Sequence, residues 1–139
     1  MDVETLLKAL DNESNSHLLE LTHKKIHDMK CDILGELSLS KKELETYLSK
    51  LKDYRFVDSM NEIKYGSFIR WIPIVDPKHI FLTTGAIFCE FKVKKDGVAF
   101  VYKNFKNRQA QGNWDECLMF QKMTTQEHVL LSALDHLTT

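Results

Sequence analysis

His23, His27 and Cys31 recur at i, i+4 and i+8, a spacing that stacks them along one side of an α-helix. An imidazole pair one turn apart suits bidentate metal ligation. The row also borders an apolar stripe, and histidine and cysteine at a core margin explain it more simply, so no metal site is expected. Asp115 and Glu116 offer adjacent carboxylates beside Cys117, but strand alternation sends neighbours to opposite faces. There is no phosphate-cradling glycine loop, no nucleophile elbow and no H-E-x-x-H. An active site would have to be assembled from scattered residues. The expectation is a protein that is not an enzyme, with no catalytic residue and no cofactor.

The chemistry of polyanion binding is better represented. Cations hold phosphates and aromatic faces hold bases. The second half supplies both types in Tyr65, Phe68, Arg70, Trp71, Lys92, Lys94, Tyr102, Lys103, Phe105, Lys106, Arg108 and Trp114. Net charge is −1, yet residues 64–108 carry nine Lys/Arg against three acids, or +6, leaving ten cations against seventeen acids, or −7, elsewhere. Such asymmetry can mark a surface that faces a polyanion. Two alternatives stand beside it: the basic half docks on the acidic helical half, or the charge only keeps the protein soluble. Most aromatics in so short a chain must also form its core.

Periodicity sets out the elements that would carry these residues. Residues 2–10 suit a short amphipathic helix. Ser16 is placed to cap a longer one on Leu19, Ile26, Met29, Ile33 and Leu37. Ser40-Lys41-Lys42-Glu43 is a capping box that opens a helix on Leu44, Leu48 and Leu51. After Lys52 the pattern turns β-rich, with runs at 55–58, 67–72 and 79–82. Pro73 implies that the second run lies at an edge or ends there. Asp96-Gly97 reads as a two-residue type I′ hairpin turn, setting Val93 against Phe100 and Phe91 against Tyr102. Residues 106–113 read as a polar loop, and 114–122 as a last strand with Cys117, Met119 and Gln121 on one side. Thr124-Thr125-Gln126-Glu127 opens a C-terminal helix. The expected fold is α+β: N-terminal helices, about five antiparallel strands forming a curved sheet or small open barrel, and a C-terminal helix. It is one domain over 1–139, helical over 1–53, β-rich over 54–123 and helical again over 124–137.

Residues 33–57 resemble the helix-turn-helix core of winged-helix regulators. Leu37, Leu39, Ser40, Leu44, Leu48, Leu51, Phe56 and Val57 fall at matching spacing. The resemblance implies that Lys41, Lys42, Glu45, Thr46 and Ser49 face a major groove. Arg55 stands where such proteins carry a turn glycine, and Glu43 and Glu45 oppose DNA. A wing would have to come from 56–72.

The stretches 52–58, 66–72, 82–85 and 120–124 resemble small proteins encoded by large double-stranded DNA viruses of eukaryotes, over about 52–137. That resemblance implies an intracellular cycle and a nucleic-acid accessory or virion component, and transfers no functional residues. Composition agrees with a globular class: 43% of the 139 residues are hydrophobic. No apolar run approaches the roughly 20 residues that cross a bilayer, and no secretory signal opens the chain. Three widely spaced cysteines without a C-x-x-C pair read as buried thiols of a reducing compartment. The Asn12-Glu13-Ser14 sequon is then chance. The expectation is an intracellular binding module, in cytoplasm, nucleus or virion, that contacts nucleic acid through Lys41, Lys42, Thr46, Ser49, Arg70, Lys92, Lys94, Lys103, Lys106 and Arg108. The alternative is a structural or adaptor protein whose partner is another protein. No membrane partner is expected.

Overall fold

Thr22, in extended backbone, accepts the Lys25 N–H on its hydroxyl and starts helix α1, His23–Gly35. A computed structural model describes residues 21–138 and, before them, residues 3, 4, 7 and 8, which are helical. The expected Ser16 cap lies outside the described residues. The extended backbone at Thr22 means that α1 is not a single helix reaching back to that serine. Ser38, at φ 53°, turns the chain into helix α2, Lys41–Lys50. The capping box forms as expected: Glu43 N–H donates to Ser40 Oγ and Ser40 N–H to Glu43 Oε1, both at 3.1 Å.

Lys30 ties the two helices together. Its Nζ donates to the Leu51 carbonyl at 2.8 Å, where the carbonyl-rich end of α2 favours a cation. The side chain is buried, and that burial holds its pKa below the usual lysine value.

The strands are β1 Tyr54–Val57, β2 Phe68–Pro73, β3 Ala86–Lys94, β4 Gly97–Lys103, β5 Gln109–Asn113 and β6 Cys117–Lys122, followed by helix α3, Thr125–Thr138. They form one antiparallel sheet in the order β1-β6-β2-β3-β4-β5, of six strands where about five were expected, and it is not closed. β2 is central, and Pro73 ends it at its pairing with Cys117. β6 lies between β1 and β2, so residues 56–72 make no wing hairpin.

Three local expectations are corrected. The β3–β4 turn is Lys95-Asp96, because positive φ falls on Gly97 alone, at 135°, whereas a type I′ turn needs it at both central residues. Val93 therefore faces Val98 and Phe91 faces Phe100, and a bulge at Cys89 sets Phe88 against Tyr102. Residues 109–113 are a strand, not a loop. Residues 79–82 are not a strand; Ile80 and Leu82 pack beneath α2, and Thr83 N–H meets Trp71 C=O at 3.0 Å.

Alternation gives the sheet two different faces. On one, Val57, Ile69, Trp71, Ala86, Phe88, Phe100 and Met119 make a core of the sheet's own side chains. Trp71 on β2 passes over the small Ala86 to meet Phe100 (5.2 Å between centroids) and Tyr102 (4.5 Å) on β4. Each such pair is worth about 0.5–1.5 kcal/mol beyond its buried area. On the other face, Ile72 and Phe120 join Leu34 and Leu51 of the helical layer, flanked by Leu44, Tyr47 and Leu48. That layer covers β1, β6 and β2.

Gly112 is required where β5 meets β4. A Cβ there would stand 2.4 Å from Cζ of Phe100, whose side chain is fully buried. Gly112→Ala is expected to destabilise the fold by about 1–3 kcal/mol, read as a lower urea midpoint. A second expectation concerns Lys30. With its folded pKa lowered, the unfolded chain binds more protons between that pKa and 10.5, so stability rises with pH across this window. Urea titrations from neutral pH towards 10.5 should show wild type gaining stability relative to Lys30→Met; parallel curves would contradict this.

Candidate nucleic-acid interface

Beyond the helical layer, the outer face of β3, β4 and β5 lies open. Register puts Lys92, Lys94 and Lys103 on it, with Glu90 between them and Gln109, Gln111 and Asn113 alongside on β5. The same face continues through Ile87 to Phe68 on β2. The face is not wholly polar: Ala99 and Val101 of β4 lie on it and are buried, while Lys92 and Lys94 beside them stay exposed.

At one end of the face two aromatic rings are exposed. Phe68 and Phe105 stack with centroids 6.3 Å apart and planes 30° apart. They are 42% and 69% exposed, so both rings reach solvent. Lys122 Nζ sits 5.5 Å from the Phe68 ring centre, within cation–π range. Beside this pair opens a depression of about 400 Å³ lined by Gly66, Ser67, Phe68, Lys122, Met123, Thr124 and Thr125. The turn after β4 follows Phe105 with Lys106 and Arg108. It is fixed by Asn104, whose side-chain oxygen accepts both their N–H groups at 2.9 and 3.0 Å.

The expected site residues thus divide. Lys92, Lys94 and Lys103 share one face; Lys106 and Arg108 are exposed in the turn after β4, where Arg108, opposite Asn104, falls on the other side of the sheet by alternation. Arg70 lies on the same face of β2 but is half-buried, its Nε donating to Thr83 C=O at 2.9 Å. Lys41, Lys42, Thr46 and Ser49 are exposed on α2, over the other half of the sheet, and the Thr46 hydroxyl is spent on Lys42 C=O at 2.8 Å. Trp71, Tyr102 and Trp114 are packed into the core, as aromatic demand in a short chain anticipates. Lys122 was not singled out from sequence; its place two residues beyond Phe120 on an alternating strand was the available signal.

Lys64 behaves as the docking alternative anticipates. It approaches Glu127 of α3 at 3.6 Å, away from the open face. Glu127 is buried, accepts the Thr124 N–H at 3.1 Å and lies 3.6 Å from Arg55 Nε. Arg55 also reaches Glu62, whose carboxyl is raised by burial and partly restored by that guanidinium. Gln121 completes the cluster, donating to Glu62 C=O and accepting from Lys64 N–H and Ser67 Oγ. Among the described residues, Lys94, Lys103, Lys106, Arg108 and Lys122 enter no ion pair, and Lys92 approaches only Glu90 at 3.9 Å.

The His/Cys row separates as well. His27 meets Cys31 at 3.4 Å, but His23 turns to α3, with Nδ1 2.6 Å from Asp135 and Nε2 3.4 Å from His128 Nδ1. The rings are 18° from parallel with centroids 5.7 Å apart, so these nitrogens face each other nearly along the line of centres. That geometry suits a long hydrogen bond between the rings, and Asp135 also accepts the His23 N–H at 3.0 Å, so the group joins α1 to α3. Among the described residues no cluster of three or more His, Cys, Asp or Glu could hold a metal. All three cysteines are half-buried rather than buried.

Comparison with protein-family models, curated proteins and solved structures finds no match to this chain. No helix of the described residues is long and apolar enough to cross a membrane.

Burial, with the charge of Glu116, pushes the Cys117 thiol up to about 11. Alkylation of Cys117 by iodoacetamide should therefore stay slow near neutral pH and accelerate only as pH nears 11, followed site by site by mass spectrometry. Rapid modification at neutral pH would show that its burial is breached in solution.

Proposed function

We propose that this protein is a non-enzymatic binding module for nucleic acid, and that single strands are its preferred form. The observation that carries this reading is the exposed Phe68–Phe105 stack set between Lys122 and the lysines of the open β3–β4 face. Every base has a π-face, so an aromatic platform takes unpaired bases without demanding a sequence. Duplexes keep their bases stacked internally and present chiefly phosphate. Lys92, Lys94, Lys103, Lys106 and Lys122 would then neutralise phosphates along the strand, releasing counterions. Such a role implies an intracellular setting, in cytoplasm, nucleus or virion.

Fluorescence anisotropy with labelled single-stranded and duplex DNA and RNA, across a salt series, tests this reading. Single strands should bind more tightly than duplexes of equal length, and affinity should fall steeply with salt. Phe68→Ala and Phe105→Ala should each weaken single-strand binding by about 5–150-fold, the span of roughly 1–3 kcal/mol per stacked base. Lys103→Ala should reduce the slope of log affinity against log salt by about 0.7. No binding at low salt, or aromatic variants that bind as wild type, would end the proposal.

A further inference from the structure

The two edges of the sheet are unequal. β1 is four residues long, and its Arg55 and Val57 are buried. β5 is five residues, Gln-Ala-Gln-Gly-Asn, exposed except at Gly112, and among the described residues no strand pairs with its outer side. Proteins normally protect such an edge with a charge, a proline or a bulge. β5 has neither charge nor proline, and its register with β4 runs unbroken.

Its hydrogen-bonding groups can be assigned. Asn104 N–H bonds to Arg108 C=O at 3.0 Å, which makes this a hydrogen-bonded pair of the β4–β5 ladder. Alternation then turns the backbone groups of Ala110 and Gly112 towards β4, and those of Gln109, Gln111 and Asn113 outward. The Phe100 ring seated over Gly112 holds the strand in this attitude.

From this we infer that β5 is a self-association edge, and that its partner is β5 of a second copy, antiparallel about a two-fold axis at Gln111. The strand is complementary to itself. Gln111 would pair with its own counterpart and Gln109 with Asn113, so outward N–H and C=O groups meet along the whole strand. Side chains agree on both faces: uncharged amides oppose amides, and Ala110 opposes Gly112, leaving room for close approach. A neutral strand makes no like-charge contact with its copy. Two-fold antiparallel pairing also keeps the same face of each sheet on the same side, so the two open lysine faces become neighbours. This association does not depend on nucleic acid, and its test is run without any.

Gln111 would lie on the axis, so one substitution places two like charges directly opposite each other. Its side chain is exposed and touches Lys94 Nζ at 2.6 Å, so folding should survive the change, as near-ultraviolet circular dichroism can check. A short edge pairing is small for an interface, so sedimentation velocity should show reversible wild-type dimers with dissociation constants on the order of 100 μM. Gln111→Lys and Gln111→Glu, each alone, should weaken dimerisation at least about tenfold, and an equimolar mixture should restore it. In wild type, amide exchange of Gln109, Gln111 and Asn113 should slow as concentration rises. A monomer up to about 1 mM, dimers indifferent to Gln111→Lys, or exchange at these amides that is independent of concentration would each overturn the inference.

Discussion

The packing of Trp71 over Ala86 onto Phe100 and Tyr102, with the Phe100 ring seated on Gly112, is the contact on which the rest depends. It links β2, β3, β4 and β5 through side chains of one face alone. Ile63 and Trp114, from outside the strands, pack onto that face and complete its core. The helical layer packs over Tyr54, Phe56, Ile72, Leu118 and Phe120, at the β1–β6–β2 end. On the remaining outer face Ala99 and Val101 are buried, but Lys92 and Lys94 stay exposed and keep their charges in water. The open basic surface is the reverse side of the aromatic core.

A buried charge cluster joins the opposite end to α3. Arg55 and Glu127 are both buried, and withdrawing them from water is expensive unless each is well paired. The Thr124 N–H, Glu62, Lys64 and Gln121 share that task around them. Removing one partner of such a group would cost about 3–5 kcal/mol, whereas an apolar replacement of the whole could be neutral. Its contribution is therefore better understood as orientation. It fixes where α3 starts, and with it the Thr124–Thr125 wall of the depression beside Phe68.

Residues whose structure is set locally were legible in the sequence. Ser40 with Glu43 and Thr124 with Glu127 each form both bonds of a capping box, because those partners lie three residues apart. The alternation of Cys117, Met119 and Gln121 also holds, since β6 is flanked on both sides. The hairpin strands were recognisable but their turn was displaced, because Gly97 takes its positive φ just after the turn. β5 was missed for a physical reason: it has no alternating apolar residue, and its place is fixed by a ring from β4. The reverse error befell 79–82, whose apolar residues serve the helical layer. At the candidate site, Lys92, Lys94 and Lys103 follow from alternation once the strand is known. The Phe68–Phe105 stack and the Asp135–His23–His128 group join residues far apart in the chain, and no local pattern announces them.

Edge and face also constrain each other. Moving the lysines of β3–β4 to the aromatic side would require a one-residue slip, which would expose Phe91 and Phe100 together. The burial of Phe100 against Gly112 forbids that slip, so the cationic face is as firmly specified as the core. The same register sends Gln111 outward in backbone and towards the lysines in side chain, where it accepts from Lys94. A charged residue on β5 would protect the edge but would also change the potential of that face, since the two share these side chains. An uncharged β5 keeps the lysine field intact, and an unprotected strand edge is the structural consequence.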